Sequence, residues 1–171
     1  IVSEQIPFMQ DLIRQRSFVS DDFRPSSFEV IEPYYAALLN AVWPSEDPDS
    51  FFGAWLANRS ELESCLDEHQ AWLYVALSCD TENADKRAAY DFFVQEIYPQ
   101  IAPLDDALNR KMLSYPGLNA YQEPGFDRLL RSVQNALELY REANIPLQTE
   151  LKGLESQYAA LTGSLCIHYG G

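Results

Sequence analysis

The stretch SELESCLDEHQAWLYVALSCD, residues 60–80, decides the fold class of this chain. Its apolar side chains recur at intervals of three and four residues, which places them on one face of an α-helix. Ser60 and Glu63 have the spacing of a capping box, in which the serine hydroxyl accepts from the Glu63 amide and the Glu63 side chain reaches back. The stretch therefore predicts an amphipathic helix that begins at Ser60 and carries this stripe: Leu62, Leu66, His69, Leu73, Ala76 and Leu77.

Two further helices are predicted on the N-terminal side of this stretch. One follows Pro25-Ser26-Ser27, where a serine can cap the first backbone amides, and it runs to Pro44, whose ring stops it. A turn-rich acidic loop over residues 44–49 then leads to a short helix over about residues 50–58.

On the C-terminal side, Asp80-Thr81-Glu82-Asn83 ends the central helix and supplies caps for the next one. This next helix reaches Pro99 and Pro103, which together remove two amide donors. A kink or break is expected there, followed by helix to about Leu113.

The longest regular pattern is an apolar stripe of nearly heptad spacing that follows the Pro124-Gly125 turn and is interrupted at Pro146. It predicts two helices, or one kinked helix, packed antiparallel against the earlier helices. The stripe consists of Phe126, Leu130, Val133, Leu137, Tyr140, Asn144, Leu147, Leu151, Leu154, Tyr158 and Leu161.

The last segment, Ser164 to Tyr169, alternates polar and apolar residues and predicts a single β-strand. The expected fold class is therefore all-α, a multi-helix antiparallel bundle with a kinked long C-terminal helix pair and one terminal strand. The expected organisation is a lead-in segment over residues 1–24, a helical domain over 25–163 and the start of a truncated β-hairpin over 164–171.

The composition excludes several classes of function. The chain has 171 residues, enough for one domain, and its 12 basic against 26 acidic residues give a formal charge of -14. Binding to nucleic acid or to an anionic membrane needs a basic face, so neither is expected. No apolar run approaches the ~20 residues of a membrane span, and the first residues do not resemble a signal peptide. A cytoplasmic location is expected.

The three cysteines, Cys65, Cys79 and Cys166, agree with a reducing compartment. Cys65 and Cys79 lie on one predicted helix, roughly 20 Å apart at ~1.5 Å per residue, which excludes a disulfide between them.

The sequence offers no catalytic, cofactor-binding or metal-binding residue. The two histidines, His69 and His168, do not form an H-E-x-x-H motif and lack a second ligand at metal-binding spacing, so His69 is expected to be a half-buried packing residue. No Gly-rich phosphate loop, G-x-S-x-G elbow or C-x-x-C pair is present.

Paired carboxylates and clustered aromatic residues are given structural interpretations. On amphipathic helices, acidic pairs usually belong to the solvated face, and this is expected of Asp21-Asp22, Glu61/Glu63, Asp67-Glu68 and Asp105-Asp106.

Aromatic side chains at helical spacing pack in the hydrophobic core more often than they line a binding groove. Core packing is therefore expected of Tyr34, Tyr35, Phe51, Phe52, Trp55 and Trp72.

Several stretches in order, residues 59–81, 93–99, 102–105, 140–148 and 157–163, resemble the N-terminal region of bacterial oligoendopeptidase F-type zinc metallopeptidases, of the thimet oligopeptidase-like family. The resemblance implies a largely helical, clam-like peptidase that hydrolyses short peptides in a deep channel. It also implies a zinc ion on an H-E-x-x-H helix, with a further glutamate ligand, in the C-terminal portion of such an enzyme. No residue of this chain matches those positions, so no zinc is expected in it.

The resemblance implies a non-catalytic N-terminal domain that forms one wall of the substrate channel. Its expected partners are the catalytic C-terminal portion of the same polypeptide and short peptide substrates. The alternative is a free-standing helical interaction module without enzymatic activity. The reading frame beyond Gly171 distinguishes the two: a downstream H-E-x-x-H favours the first, and a stop codon favours the second. Salt-promoted self-association is also expected, through residues 147–161 or 164–169.

Overall fold

The computed structural model describes residues 16–163, and within that range it consists of helices and connecting loops, without a strand. The predicted all-helical class is confirmed for this range, whereas the predicted strand over 164–169 lies outside it. A π-helix, Phe93–Ile97, and a 3-10 turn, Glu142–Asn144, join neighbouring helices. The α-helices are α1 (Phe28–Asn40), α2 (Pro48–Ser78), α3 (Ala84–Phe92), α4 (Tyr98–Leu113), α5 (Phe126–Leu139) and α6 (Ile145–Gly163).

The capping box predicted at Ser60 is wrong, because Ser60 lies in the interior of the single long helix α2. The Glu63 carboxylate pairs with the side chain of Arg59 at 2.7 Å instead of reaching back to the Ser60 amide. The predicted short helix over 50–58 and the predicted helix from Ser60 are therefore one element. Its start is Pro48, whose missing amide donor costs nothing in the first turn of a helix.

Helix α1 also differs from the prediction at its end. It follows Ser27 as predicted, although the Ser27 side chain makes no capping hydrogen bond, and it ends at Asn40 rather than at Pro44. The chain leaves the helix at Ala41, where ψ is 134°. Because the helix ends here, the centroid of the Trp43 ring lies 5.6 Å from that of the buried Phe52 ring. Packing in the core therefore agrees with the observed end of α1.

The expected disruption at the two prolines takes the form of a π-helix. The Tyr98 amide donates to the Phe93 carbonyl five residues earlier, and α4 begins immediately after this wider turn. A π-bulge relieves a helix where the regular i to i−4 pattern cannot continue, and Pro99 supplies no amide donor. Pro103 is accommodated inside α4, which ends at Leu113 as predicted.

The C-terminal apolar stripe lies on two separate helices, which was one of the two predicted alternatives. Gly125, at φ 87°, precedes α5 in a left-handed conformation that favours glycine. Helix α5 buries Phe126 and Val133, and α4 packs against α1, α5 and α6.

The centre of the core is an aromatic cluster around Phe52, whose side chain is fully buried. The Phe52 ring stacks on the ring of Tyr115 with centroids 4.1 Å apart and planes inclined by 8°. The buried indole of Trp55 donates to the Leu38 carbonyl at 3.0 Å, so its polar atom is satisfied. Four further rings lie around Phe52, those of Trp43, Trp55, Tyr121 and Phe126.

Glu61 links residues 17–19, which precede α1, to helix α2. Its carboxylate accepts hydrogen bonds from the backbone amides of Ser17, Phe18 and Val19 at 2.7–3.1 Å. Partial burial pushes the pKa of Glu61 upward, but these amide donors outweigh it, so the pKa lies below its usual value. The prediction that Glu61 belongs to a purely solvated face is therefore wrong.

We expect Glu61→Gln to lower the free energy of unfolding by about 1–3 kcal/mol at pH 7, because hydrogen bonds to a charged acceptor become neutral ones. Since the folded-state pKa is lowered, this stabilisation is present above the unfolded pKa of about 4.3 and is lost as the pH falls through the folded pKa. Urea denaturation at pH 7 and at pH 3 measures both effects. Glu32→Gln, an exposed position on α1, is the control, and an equal effect in both variants would contradict the anchoring role.

Candidate functional site

A polar cavity of about 380 Å³ opens between α2, α4 and α5, with Tyr35 of α1 at its base. Its walls combine ionisable groups from two of these helices with apolar side chains of α5. The ionisable and amide groups that line it are Tyr35, Arg59, Glu63, Asp67, Gln70, Tyr98, Asp105 and Asn109.

Arg59 is the buried cation of this cavity and is only 8% exposed. Its Nε lies 2.7 Å from Glu63 Oε1, and its Nη2 donates to Asn109 Oδ1 at 2.7 Å. The planar guanidinium can make both contacts at once, which a lysine ammonium cannot match in geometry. Arg59 thereby links α2 to α4 from inside the protein.

Tyr35 and Asp105 form the second polar pair of the cavity. The Tyr35 hydroxyl donates to Asp105 Oδ1 at 2.6 Å. Burial raises the pKa of Asp105 to about 6, with a further upward contribution from Glu63 and opposing contributions from the Tyr35 hydrogen bond and from Arg59. Burial also raises the pKa of Tyr35, so its hydroxyl stays protonated. The solvated-face prediction for Asp105 is wrong, because tertiary packing closes over it.

The cavity has a perturbed carboxyl group and a concave shape, both typical of functional sites. Its carboxylates, Glu63, Asp67 and Asp105, outnumber its one cation, Arg59, so it favours a cationic group over an anion. Within residues 16–163 no three histidine, cysteine, aspartate or glutamate side chains could hold a metal ion together. The cavity therefore offers polar recognition and a proton that exchanges near pH 6, without a metal centre.

We expect Asp105→Asn to stabilise the chain above pH 6. The folded-state pKa is raised, so the carboxylate costs stability as the pH rises from the unfolded pKa of about 3.9 to about 6. The asparagine oxygen still accepts from Tyr35. The difference in unfolding free energy between variant and wild type should grow from near zero at pH 4 to about 2 kcal/mol at pH 7. Urea denaturation across this range, with Glu82→Gln as a control for the loss of one negative charge, tests it. A constant difference would contradict the assigned titration.

The remaining residues singled out in the sequence lie elsewhere. His69 is half-buried with its ring 5.5 Å from that of Phe93, as expected of a packing residue, and burial lowers its pKa. Cys65 is buried and Cys79 exposed, both as free thiols. The core prediction holds for Tyr35, Phe52 and Trp55, but Phe51 is 38% exposed and Trp72 is 64% exposed. His168 lies outside the described residues.

Sequence patterns could not have identified the cavity. Tyr35, Arg59 and Asp105 are widely separated in the chain and lie on three helices. The only local signal is the spacing of Arg59 and Glu63, an i,i+4 pair that equally describes a surface salt bridge.

A second surface feature is the apolar face of α6. Leu147, Leu151, Leu154 and Tyr158 follow the spacing of one helical face, and each is more than half exposed. The opposite side of α6 packs on the π-helix and α4. Contiguous exposed apolar side chains of this kind mark interaction sites. In the described part of the chain no helix is both long and apolar enough to cross a membrane.

Comparison with known proteins gives one match. The family described as Peptidase M3 N-terminal domain matches residues 18–140, which include α1 to α5. A search of curated proteins and a search of solved structures each found no match. The match confirms the resemblance to the N-terminal region of an oligoendopeptidase-like peptidase. Because it covers more than half of the sequence, the chain belongs to the Peptidase M3 N-terminal domain family.

Proposed function

We propose that this chain is the non-catalytic N-terminal domain of an oligoendopeptidase F-type zinc metallopeptidase and forms one wall of its peptide channel. The family match supports the first part, since M3 peptidases are in general zinc-dependent enzymes. The described residues do not suit zinc, because they contain no group of three suitable ligands. Zinc and the residues that hydrolyse the peptide are therefore assigned to a catalytic portion of the same polypeptide.

The observation that carries the proposal is the position of the exposed apolar face on α6. The family match ends at residue 140, and α6 begins at Ile145. Burial of apolar surface contributes ~25 cal/mol per Å², so four large exposed side chains in one row gain most when another surface covers them. We assign the catalytic portion as that surface, with α6 as the connecting element between the two parts.

The polar cavity fits a role beside a peptide channel. Its excess of carboxylates over cations would favour the ammonium group of a peptide or of a lysine side chain over an anion. In this proposal the domain shapes access to the channel and supplies none of the bond-breaking groups.

The reading frame beyond Gly171 tests the proposal. An H-E-x-x-H motif in that frame, and zinc-dependent cleavage of a fluorogenic peptide by the full polypeptide but not by this chain, are the expected results. A stop codon directly after Gly171 would instead support the free-standing interaction module. The domain boundaries, the cytoplasmic location and the salt-promoted self-association stay predictions.

A further inference from the structure

A second cavity, of about 650 Å³, lies between the C-terminal part of α2, helix α3 and the last turns of α6. This volume is within the range of small-molecule binding sites. Apolar, hydroxyl and charged groups all contribute to its wall, among them Tyr74, Leu77, Arg87, Tyr90, Glu155 and Ser156. None of these residues belongs to the polar cavity described above.

Ser156 is the first sign that this cavity is a binding site. Its side chain is buried, with the residue only 8% exposed, and its hydroxyl has no hydrogen-bond partner in the part of the chain that the structure describes. By contrast, the hydroxyls of Thr149 and Thr162 on the same helix each bond to a carbonyl four residues earlier at 3.0 Å. A buried hydroxyl without a partner is costly, and rotation about its Cα–Cβ bond would direct it to a ligand.

Two unpaired charges of opposite sign border the same cavity. Arg87 donates through Nη2 to the Thr81 carbonyl at 2.5 Å, and neither it nor Glu155 forms an ion pair with any described residue. The nearby Lys86 and Asp80 are paired with each other at 3.0 Å, so they do not neutralise Arg87.

The apolar part of the same wall includes Tyr74, Leu77 and Tyr90. The rings of Tyr74 and Tyr90 have centroids 6.1 Å apart, and Leu77 is buried beside them. Burial raises the pKa of Tyr90, and Glu155 and Tyr74 raise it further, which agrees with Glu155 lying near Tyr90 in this cavity.

We propose that this cavity binds a short zwitterionic peptide, a di- or tripeptide with both termini free. The peptide carboxylate pairs with Arg87, the terminal ammonium pairs with Glu155, and the Ser156 hydroxyl bonds to a polar backbone atom of the peptide. An apolar side chain of the peptide packs against Leu77 and Tyr90. The inference rests on this cavity alone and holds equally for a peptidase domain and for a free-standing module.

Calorimetric titration of the 171-residue chain with the dipeptide Phe-Leu tests the proposal. We expect saturable binding with a Kd below about 1 mM. N-acetyl-Phe-Leu lacks the ammonium and Phe-Leu amide lacks the carboxylate, and each should bind roughly tenfold more weakly or worse, because a charged contact is lost. Absence of saturable binding up to about 10 mM, or equal binding of the free and blocked dipeptides, would overturn the proposal.

Two variants test which charged residue of the cavity contacts which terminus of the peptide. Arg87→Met should weaken binding of Phe-Leu roughly tenfold and abolish the preference over Phe-Leu amide, whereas Glu155→Gln should abolish the preference over N-acetyl-Phe-Leu. Arg128→Met, at an exposed arginine of α5 away from this cavity, is the control and should bind as the wild type does. Equal losses in Arg87→Met and Arg128→Met would contradict the assignment. Should Arg87→Met fail to fold, Glu155→Gln and the blocked dipeptides still decide.

Discussion

Replacement of Phe52 by alanine is expected to lower the free energy of unfolding by about 3–5 kcal/mol, the largest effect of any single change considered for this chain. Phe52 is fully buried, and five aromatic rings surround it. Truncation removes the transfer free energy of the ring and leaves a cavity that rigid aromatic neighbours fill only in part.

The neighbouring Phe51 provides a matched control for this prediction. It is 38% exposed and contacts one ring, that of Trp43, among the aromatic contacts of the described residues. Phe51→Ala should therefore cost about 1 kcal/mol, as partly exposed substitutions generally do. Guanidinium denaturation of both variants measures the difference. Similar losses in the two variants would show that Phe52 is not the centre of the core.

Arg59→Met is expected to lower the free energy of unfolding by about 2–4 kcal/mol. Methionine fills much of the same volume, so the loss comes from the polar partners: Glu63 loses its cation, and Asn109 loses a donor at 2.7 Å. Because an uncompensated carboxylate accounts for part of the cost, the double change Arg59→Met with Glu63→Gln should be less destabilised than Arg59→Met alone.

Arg131 is the control for this second prediction. It forms an ion pair of the same i,i+4 spacing with Asp127 at 3.1 Å, but the two side chains are 69% and 73% exposed. Exposed pairs contribute at most about 1 kcal/mol, so Arg131→Met should have little effect on urea denaturation. Equal effects of the two substitutions would mean that the polar cavity does not bind its helices together.

The helices were predictable because their apolar spacing is a local property of the sequence. The stripe over 62–77 indeed lies on one helix, and Pro124-Gly125 and Pro146 both lie close to helix starts. Helix boundaries were less predictable where a local signal competes with a tertiary contact. Ser60 has the right neighbours for a cap, yet Pro48 starts the helix and Arg59 binds the glutamate that the cap would need.

The roles of individual carboxylates were beyond prediction from sequence. Glu61 and Asp105 each belong to an acidic pair on an amphipathic helix, and such pairs usually face solvent. The structure instead brings the amides of residues 17–19 to Glu61 and the Tyr35 hydroxyl to Asp105, across separations of 42–44 and 70 residues. Only the folded chain shows these partners.

The apolar stripe that includes Leu151 and Leu154 was predicted to pack against the earlier helices, and this holds only for its α5 part. The stripe is buried on α5 at Phe126 and Val133 but exposed on α6. Periodicity reports which residues share a face, and it does not report whether the partner of that face belongs to the same domain.

The most direct test of the proposed function is binding between this chain and the catalytic portion that its reading frame would encode beyond Gly171, produced as a separate polypeptide. The account predicts a stable complex, weakened roughly a hundredfold or more by the double change Leu151→Asp with Leu154→Asp, since two buried leucines contribute several kcal/mol. Val42→Asp, at an exposed apolar residue outside α6, should leave the affinity unchanged. Absence of a complex, or a complex that the α6 variant does not weaken, would contradict the account.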